Sequence, residues 1–140
     1  MSKVRILLVD DFAFWRELVS SLLEKEPSFE IVCEVVDGQQ AVLMAERLQP
    51  TIVLLDIGLP KLNGIDVAGW IRTLAPSTKI LFLSDTSDKQ IVQEALNLAC
   101  GYVLKSDAAT DLVAAVRSVA SGKPFISSQL AGLGLEAKCW

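Results

Sequence analysis

The chain has 140 residues, of which 51% are hydrophobic and 21% charged, and this balance fits one α/β domain with an aliphatic core. Its net charge of −4 argues against a broad nucleic-acid-binding face, because such a face needs clustered Lys and Arg, and the 13 basic residues are scattered. The absence of histidine excludes a Ser-His or Cys-His catalytic pair and a zinc site with histidine ligands.

Short β-rich segments alternate with longer segments of helical periodicity along most of the chain. The pattern predicts strands at residues 4–9, 30–36, 51–55, 79–84 and 101–105, and helices at residues 12–26, 38–49, 64–75, 88–99 and 108–121. The central strands are almost continuous in Val, Ile and Leu, which is typical of parallel strands covered on both faces. Five consecutive βα units therefore predict one doubly wound α/β domain.

The two ends of the chain give weaker signals. The apolar run near the N-terminus is too short for a signal peptide or a membrane span, so we expect a cytoplasmic protein that binds no membrane. The segment from Gly122 to Trp140 predicts no particular fold. We expect the folded domain to occupy residues 1–126, and residues 127–140 to be a C-terminal tail or the start of a linker without an output domain.

The three cysteines are odd in number, and no two of them have the spacing of a metal site or a redox motif. Cys33 lies in one apolar segment and Cys100 directly precedes another, whereas Cys139 is next to the last residue. We predict that the cysteines are small buried hydrophobic residues, which suits a reducing cytoplasm.

Four of the predicted strands end at a residue that can bind a phosphoryl group or its metal ion. The first strand ends at Asp10 and Asp11, the third at Asp56, the fourth at Ser84 and the fifth at Lys105. Ligands of open α/β sheets bind at the carboxyl edge of the strands, where the strand order reverses. We therefore expect these five side chains to share one shallow pocket.

Three carboxylates at one edge of a sheet repel one another unless a cation lies among them. Mg²⁺ is a suitable cation, because it prefers oxygen ligands and takes one or two carboxylates together with phosphate oxygens. Asp11 has an alternative interpretation as a helix N-cap, and the Asp10-Asp11 pair alone does not decide between the two. Asp56 directly follows an apolar strand and precedes a loop, so no helix start requires it.

A lysine and a hydroxyl beside such a cluster suit phosphoryl transfer. Lys105 can pair with the carboxylates and later with a phosphoryl oxygen, and Ser84 can donate a hydrogen bond to the same group. Taken singly, either residue is more often structural, so the prediction depends on the combination. Asp56, which is central among them, is the candidate nucleophile that would form an aspartyl phosphate.

The motifs that contain these residues resemble the receiver domain of two-component response regulators. They are LLVDDF (7–12), LLDIGLPKLNGIDV (54–67), ILFLSD (80–85) and GYVLKS (101–106). The resemblance implies a (βα)5 flavodoxin-like fold with a five-stranded parallel sheet in the order 2-1-3-4-5. It is closest to the branch whose receivers usually precede a LuxR-type helix-turn-helix output domain.

The resemblance also implies a role for each candidate residue. Asp56 corresponds to the phosphoacceptor, and Asp10 and Asp11 correspond to the acidic pair that binds Mg²⁺. Asp56 and the backbone carbonyl of Gly58 are the further metal ligands. Lys105 corresponds to the lysine that pairs with the phosphoryl group.

Two further residues resemble the switch elements of the family. Ser84 corresponds to the hydroxyl that moves toward the phosphoryl group. Tyr102 corresponds to the aromatic side chain that turns inward after that movement, although an ordinary strand aromatic is the simpler interpretation of this residue. The face formed by the fourth helix, the fifth strand and the fifth helix is then the expected output surface.

The sequence departs from the family pattern near the site. Ser106 follows the site lysine where many receivers have proline after a cis bond, so we expect a trans bond here. Asp85 stands where the family usually has a small residue, and an anion there would narrow access to Asp56 and repel a phosphodonor. Gly58 and Thr86 occupy the two positions that tune the lifetime of the phosphoryl group in this family.

We therefore predict a phosphoacceptor domain that receives its phosphoryl group on Asp56 from a histidine kinase or a phosphotransfer protein, with Mg²⁺ as cofactor. It would act as a signalling switch and not as an enzyme, and it would bind no nucleic acid itself. Helix 1 with helix 5, or helix 4 with helix 5, would allow a homodimer, and the sequence does not choose between them.

Two alternatives remain open at this point. One is an interaction module of the same fold that signals without phosphorylation, to which Asp85 gives some support. The other is a flavodoxin-like FMN carrier, which needs a Ser/Thr/Gly-rich phosphate loop after the first strand. Asp10-Asp11-Phe12 places two negative charges at that position, which disfavours FMN.

Overall fold

Six strands and five α-helices alternate along residues 3–139, which are the residues that the computed structural model describes. The strands are β1 (Val4–Val9), β2 (Phe29–Val35), β3 (Ile52–Leu55), β4 (Lys79–Ser84), β5 (Gly101–Leu104) and β6 (Phe125–Ile126). The α-helices are α1 (Ala13–Leu23), α2 (Gly38–Leu48), α3 (Gly64–Leu74), α4 (Lys89–Leu96) and α5 (Ala108–Ala120). Short 3₁₀ turns occupy Lys105–Asp107 and Ser128–Leu130. Within residues 3–139, no helix is long and apolar enough to cross a membrane.

The strands form one parallel sheet in the order β2-β1-β3-β4-β5-β6. This confirms the predicted α/β fold and the order 2-1-3-4-5, with β6 added at the edge beside β5. Sequence analysis missed β6 because two residues are too few to show a period. The pairing of β6 depends on contacts with the segment at β5, such as the hydrogen bond from Phe125 N to Cys100 O at 3.2 Å.

Both faces of the sheet are covered, which explains why β3 is entirely buried. Alternate residues of a strand point to opposite faces. In β1, Leu7 and Val9 therefore join the cluster under α2, α3 and α4, whereas Ile6 and Leu8 join the cluster under α1 and α5. This packing fixes the sheet as a rigid platform whose carboxyl edge positions the loops.

The strand register brings the predicted site residues to one edge. Val9, the last residue of β1, pairs with Leu55, the last residue of β3. At the other side, Ser84 at the end of β4 pairs with Leu104 at the end of β5. The residues that follow these strands therefore emerge side by side.

Cys100 is buried as predicted, but its disulfide was not expected, and Cys33 and Cys139 are not fully buried. Cys100 and Cys139 form a disulfide across 39 residues of sequence, while Cys33 is free and only half-buried. The spacing gave no signal because the segment after β6 folds back over α4 and places Cys139 beside Cys100, which precedes β5. Contact between distant segments, and not a local motif, creates this pair.

Candidate functional site

The carboxylates of Asp10, Asp11 and Asp56 meet at the carboxyl edge of the sheet. Each residue offers one oxygen, and these oxygens lie within 4.8 Å of one another. Asp10 is 2% exposed and Asp56 is 7% exposed, whereas Asp11 faces solvent. The predicted convergence of the three aspartates is confirmed.

Lys105 lies among these carboxylates with a buried side chain. Its Nζ is 2.9 Å from Asp10 Oδ2 and 3.4 Å from Asp56 Oδ2. The residue begins the 3₁₀ turn after β5, so the sheet carries its ammonium group directly into the cluster. The peptide bond between Lys105 and Ser106 is trans, as expected from the serine at that position. One cation therefore pairs with two of the three acids.

Trp15 is a site residue that sequence analysis missed. Its half-buried ring, on the first turn of α1, lies under Lys105, with Nζ 5.0 Å from the ring centroid. Such a cation–π contact contributes from about 0.5 to 2 kcal/mol, depending on how far it is desolvated. The sequence offered only an aromatic residue on the apolar side of a helix, which is usually core packing.

Asp10 is held in place by two hydrogen bonds from the start of α1, one from a backbone N–H and one from an arginine side chain. Its Oδ1 accepts a hydrogen bond from Phe12 N at 2.9 Å, and its carbonyl oxygen accepts one from Arg16 Nη1 at 2.8 Å. The N-cap position of α1 is Phe12, which makes no side-chain cap. The N-cap interpretation of Asp11 is therefore wrong, and its carboxylate is left to face the cluster.

Burial and neighbouring charges shift the titration of the central pair. Burial raises the pKa of Asp56, the charge of Lys105 opposes this rise, and the nearby Asp10 adds to it, so that the net pKa lies above its ordinary value. Burial lowers the pKa of the Lys105 ammonium, but the hydrogen bond to Asp10 and the charges of Asp56 and Asp10 outweigh it and raise the pKa. Lys105 therefore stays charged, and a further cation beside Asp56 would stabilise the ionised form of its carboxyl group.

The raised pKa of Asp56 predicts how stability depends on pH. The folded protein holds the Asp56 proton more tightly than the unfolded chain does, so this contribution is present below the ordinary pKa of 3.8 and is lost as the pH rises through the raised pKa. Asp56→Asn has no such loss. In urea unfolding without divalent cations, the stability of Asp56→Asn relative to wild type is expected to increase from pH 4 to pH 7.

The exposed Asp66, in the first turn of α3, supplies the control for this measurement. Asp66→Asn removes one carboxylate from the surface, so comparison with this variant separates the effect of the buried site from the general effect of losing one charge. A stability difference for Asp56→Asn that stays constant or shrinks toward pH 7 would contradict the assigned shift.

A second group of contacts connects the site to β5. Ser84 is buried, and its Oγ accepts a hydrogen bond from Thr86 N at 3.3 Å. The ring of Tyr102 is fully buried, and its hydroxyl donates to Thr86 O at 2.8 Å. Burial raises the pKa of Tyr102 to about 12, so the hydroxyl remains a donor. Thr86 therefore joins Ser84 to Tyr102.

A pocket of about 280 Å³ opens over Asp56. Gly58 and Asp85 lie at its exposed rim, and Ser84 lines its wall. The remaining lining residues are Phe12, Ile57, Thr86 and Ile91. Both Asp56 and Ser84 are thus reachable from one opening, and the exposed Asp85 adds a negatively charged residue to its lining.

Gly64 fixes the loop that carries Asp56 into this pocket. Its N–H donates to Ile57 O at 2.7 Å, and an added Cβ would clash with Asp56 O and lie 2.7 Å from Ile57 Cα. Because both obstacles are backbone, Gly64→Ala is expected to destabilise the protein by about 3 kcal/mol, the upper range for overpacking.

The matched control is Gly69→Ala in the same helix, where an added Cβ meets nothing within 4 Å. There, alanine is expected to stabilise by up to about 1 kcal/mol through helix propensity. Chemical denaturation of both variants measures the two free energies of unfolding. Equal effects at Gly64 and Gly69 would show that the close approach of α3 to this loop is not required.

The same residues lie in the part of the chain that is similar to known proteins. A family model described as the response regulator receiver domain matches residues 6–117, which include every site residue described above. The transcriptional regulatory protein DegU of Brevibacillus brevis is 37% identical over 89% of this chain and 53% of its own length. The nitrate/nitrite response regulator protein NarL of Escherichia coli strain K12 is 33% identical over 89% of this chain and 58% of its own length. The chain spans about half the length of these relatives.

Solved structures show the same fold. A LuxR-family two-component response regulator from Aurantimonas sp. SI85-9A1 has a TM-score of 0.88 at 31% identity, covering 93% of this chain and 94% of that chain. The isolated REC domain of RcsB from Salmonella enterica serovar Typhimurium, in the presence of the phosphomimetic BeF3−, also has a TM-score of 0.88. Its identity is 26%, with 96% of this chain and all (100%) of that chain covered.

Proposed function

This chain belongs to the family of response regulator receiver domains, and on that premise we propose that Asp56 accepts a phosphoryl group from a histidine kinase or a phosphotransfer protein. The observation that carries the proposal is the meeting of Asp10, Asp11, Asp56 and Lys105 at one edge of the sheet. Three acids and one buried cation form a site that binds a divalent metal ion and an anionic group together.

The acidic cluster fits Mg²⁺. Three carboxylate oxygens within 4.8 Å of one another are hard ligands, and Lys105 pairs with only two of the three acids. Asp10, Asp11 and Asp56 would hold the ion, and the carbonyl of Gly58, at the rim of the same pocket, is the proposed fourth protein ligand. When bound, Mg²⁺ supplies positive charge that offsets the charge of the phosphoryl oxygens.

In the proposed reaction, a carboxylate oxygen of Asp56 attacks the phosphorus of a phosphohistidine, and the P–N bond to the imidazole breaks. The Nζ of Lys105 already lies 3.4 Å from Asp56 Oδ2. It can therefore donate a charge-assisted hydrogen bond to the phosphoryl oxygens as their negative charge develops. Ser84 lines the same pocket and supplies a hydroxyl donor. The chain acts in this way as a signalling switch and not as an enzyme with a separate substrate.

The proposed switch connects this pocket to the face formed by α4, β5 and α5. Ser84 and Tyr102 contact the same residue, Thr86, so movement of Ser84 toward a phosphoryl group changes the surroundings of the Tyr102 hydroxyl. The Tyr102 ring is already buried in this structure. Phosphorylation would therefore shift an equilibrium between two conformations of the protein, and the conformation with the Tyr102 ring inward would already be populated without it. A shift from 1:99 to 99:1 requires about 5.5 kcal/mol, which a few charge-assisted hydrogen bonds supply.

Incubation with acetyl phosphate and Mg²⁺ tests the proposal. The intact mass is expected to increase by about 80 Da, the mass of one phosphoryl group, and to stay unchanged when Mg²⁺ is chelated. The proposal is rejected if the protein gains no mass with either acetyl phosphate or phosphorylated histidine kinases as the donor.

One observation favours a second candidate, a receiver-fold module that binds its partner without phosphorylation. Asp85 is exposed at the rim of the pocket over Asp56, where its charge opposes an anionic donor. On this alternative, Asp56→Asn leaves partner binding unchanged and Asp85→Ala does not speed phosphorylation. An increase in the phosphorylation rate of Asp85→Ala would instead identify Asp85 as a brake on the proposed reaction.

The relatives also bear on the place of this chain in a regulator. DegU is named a transcriptional regulatory protein, and this chain matches 53% of it. We propose that residues 1–126 are the receiver unit and that residues 127–140 are a tail or the start of a linker, of which Leu130, Leu135 and Ala137 pack back against the core of that unit. Any DNA binding would belong to another part of a regulator. Measuring the molecular size of the phosphorylated and unphosphorylated protein would test dimerisation through α1 and α5 or through α4 and α5.

A further inference from the structure

The segment after β6 folds back and fastens onto α4. Gln93 and Glu136 exchange two hydrogen bonds, from Gln93 Nε2 to Glu136 O at 3.1 Å and from Glu136 N to Gln93 Oε1 at 3.2 Å. Lys138 N donates to Leu96 O at 3.0 Å, which satisfies a carbonyl in the last turn of the helix. We call residues 135–139 the α4 strap.

The strap is also packed. Leu135 and Ala137 are half-buried and contact the apolar cluster that contains Val92, Ala95 and Leu96 of α4. The strap therefore covers the C-terminal half of α4 with alternating apolar contacts and backbone hydrogen bonds.

A disulfide closes the strap onto the sheet. Cys139, the last strap residue, is bonded to Cys100, which directly precedes β5. Cys100 is 2% exposed, whereas Cys139 is only half-buried, so a thiol from solution has access to the Cys139 sulfur first. In a reducing compartment, disulfides are usually transient or redox-sensing.

We propose that Cys100 and Cys139 form a reversible thiol–disulfide couple that fastens the strap over α4 when oxidised and releases it when reduced. The reacting partner is a small thiol and its disulfide, of the glutathione class. The bond closes a loop across 39 residues, and its loss returns that freedom to the strap.

The thiol–disulfide exchange requires no reactant other than the small thiol. An external thiolate attacks the Cys139 sulfur, the bond to Cys100 breaks, and Cys100 leaves as a thiolate that takes a proton from water. A second external thiolate attacks the external sulfur of the mixed disulfide and releases Cys139 together with the small disulfide. Two small thiols have then supplied two electrons, and oxidation is the reverse. The reduced Cys100 has an acceptor ready, because its Sγ lies 3.5 Å from Lys123 O.

The consequence for signalling rests on the proposed function, whereas the latch itself does not. α4 belongs to the proposed output face, and its N-terminus follows the loop of Thr86, which contacts Ser84 and Tyr102. A fastened strap holds the other end of the same helix. Oxidation would therefore restrict α4 when the proposed output face formed by α4, β5 and α5 switches.

The test combines a thiol count with hydrogen exchange, both in the absence of any phosphodonor. After treatment with glutathione disulfide and denaturation, wild type is expected to show one reactive thiol, from Cys33, and after reduction three. Amide exchange in α4 is expected to rise about tenfold on reduction, as for local opening of a helix that loses its cover.

Three variants separate the latch from general effects on folding. Cys139→Ser is expected to show fast exchange in α4 under both redox conditions, and Cys33→Ser, the matched control, is expected to respond as wild type does. Gln93→Ala weakens the strap without touching a cysteine, so exchange in its oxidised form is expected to lie between the two limits.

Two results would overturn the latch: three reactive thiols after oxidation, or equal exchange in α4 for oxidised and reduced wild type. Because neither measurement involves phosphorylation, failure of the latch leaves the proposed phosphoacceptor intact. A protein that fails to gain about 80 Da from acetyl phosphate but passes these tests would in turn retain the latch alone.

Discussion

Asp56→Asn is expected to abolish the mass gain from acetyl phosphate and from a phosphorylated histidine kinase. The amide oxygen of asparagine is a poor nucleophile compared with a carboxylate. Among residues 3–139, Asp56 is the one that joins the two halves of the site, because it lies beside Asp10 and Asp11, contacts Lys105, and lines the pocket with Ser84. We expect a loss to background, measured by intact mass after incubation with Mg²⁺.

The loss must be separated from unfolding and from general effects of charge. The variant is expected to be at least as stable as wild type near neutral pH, because it no longer buries an ionised Asp56. Asp66→Asn removes an equal charge from the exposed first turn of α3 and is expected to accept the phosphoryl group normally. Mass gain by Asp56→Asn equal to that of wild type would exclude Asp56 as the acceptor.

Lys105→Met is expected to cost about 3 kcal/mol of unfolding free energy at pH 7 without divalent cations, as for removal of one partner from a buried ion pair. The Lys105 side chain is 2% exposed and contacts Asp10 and Asp56. In the variant, these two buried carboxylates would have no ammonium group to offset their charges. Methionine preserves most of the packing against Trp15, so the effect reports the charge. Denaturant titration measures it.

Two conditions are expected to reverse this cost. Mg²⁺ returns positive charge to the cluster, and an ion present at 100 times its dissociation constant stabilises by about 2.7 kcal/mol. Lowering the pH toward 4 also shrinks the cost, because Asp56 takes up a proton. Lys89→Met, at the exposed start of α4, is the control and is expected to change stability little. Absence of rescue by Mg²⁺ would separate Lys105 from the metal site.

The sheet and its edge were predictable because two local signals coincide there. Continuous apolar strands such as 52–55 indicate burial on both faces, and a charged residue directly after β1, β3 and β5 marks the carboxyl end of each of these strands. Strand order follows from the family resemblance and not from these patterns. The convergence of Asp10, Asp56 and Lys105 then follows from the register of neighbouring strands.

The features that sequence analysis missed all depend on tertiary contact. Trp15 shows the spacing of a core residue, and only the position of Lys105 makes its ring part of the site. β6 consists of two residues and exists through pairing with β5. The strap and the bond from Cys139 to Cys100 depend on a chain reversal that no local pattern encodes. Local reasoning also suggested an N-cap role for Asp11, whereas the N-cap position is Phe12, whose N–H donates to Asp10 Oδ1.

The position of the phosphoryl group is the most direct test of the site. Wild-type protein treated with acetyl phosphate and Mg²⁺ would be digested at acidic pH, where acyl phosphates survive best, and each peptide would be weighed and fragmented. We expect one added phosphoryl group, on the peptide that contains Asp56. A group found on any other residue, or a donor consumed with every peptide unmodified, would contradict the assignment.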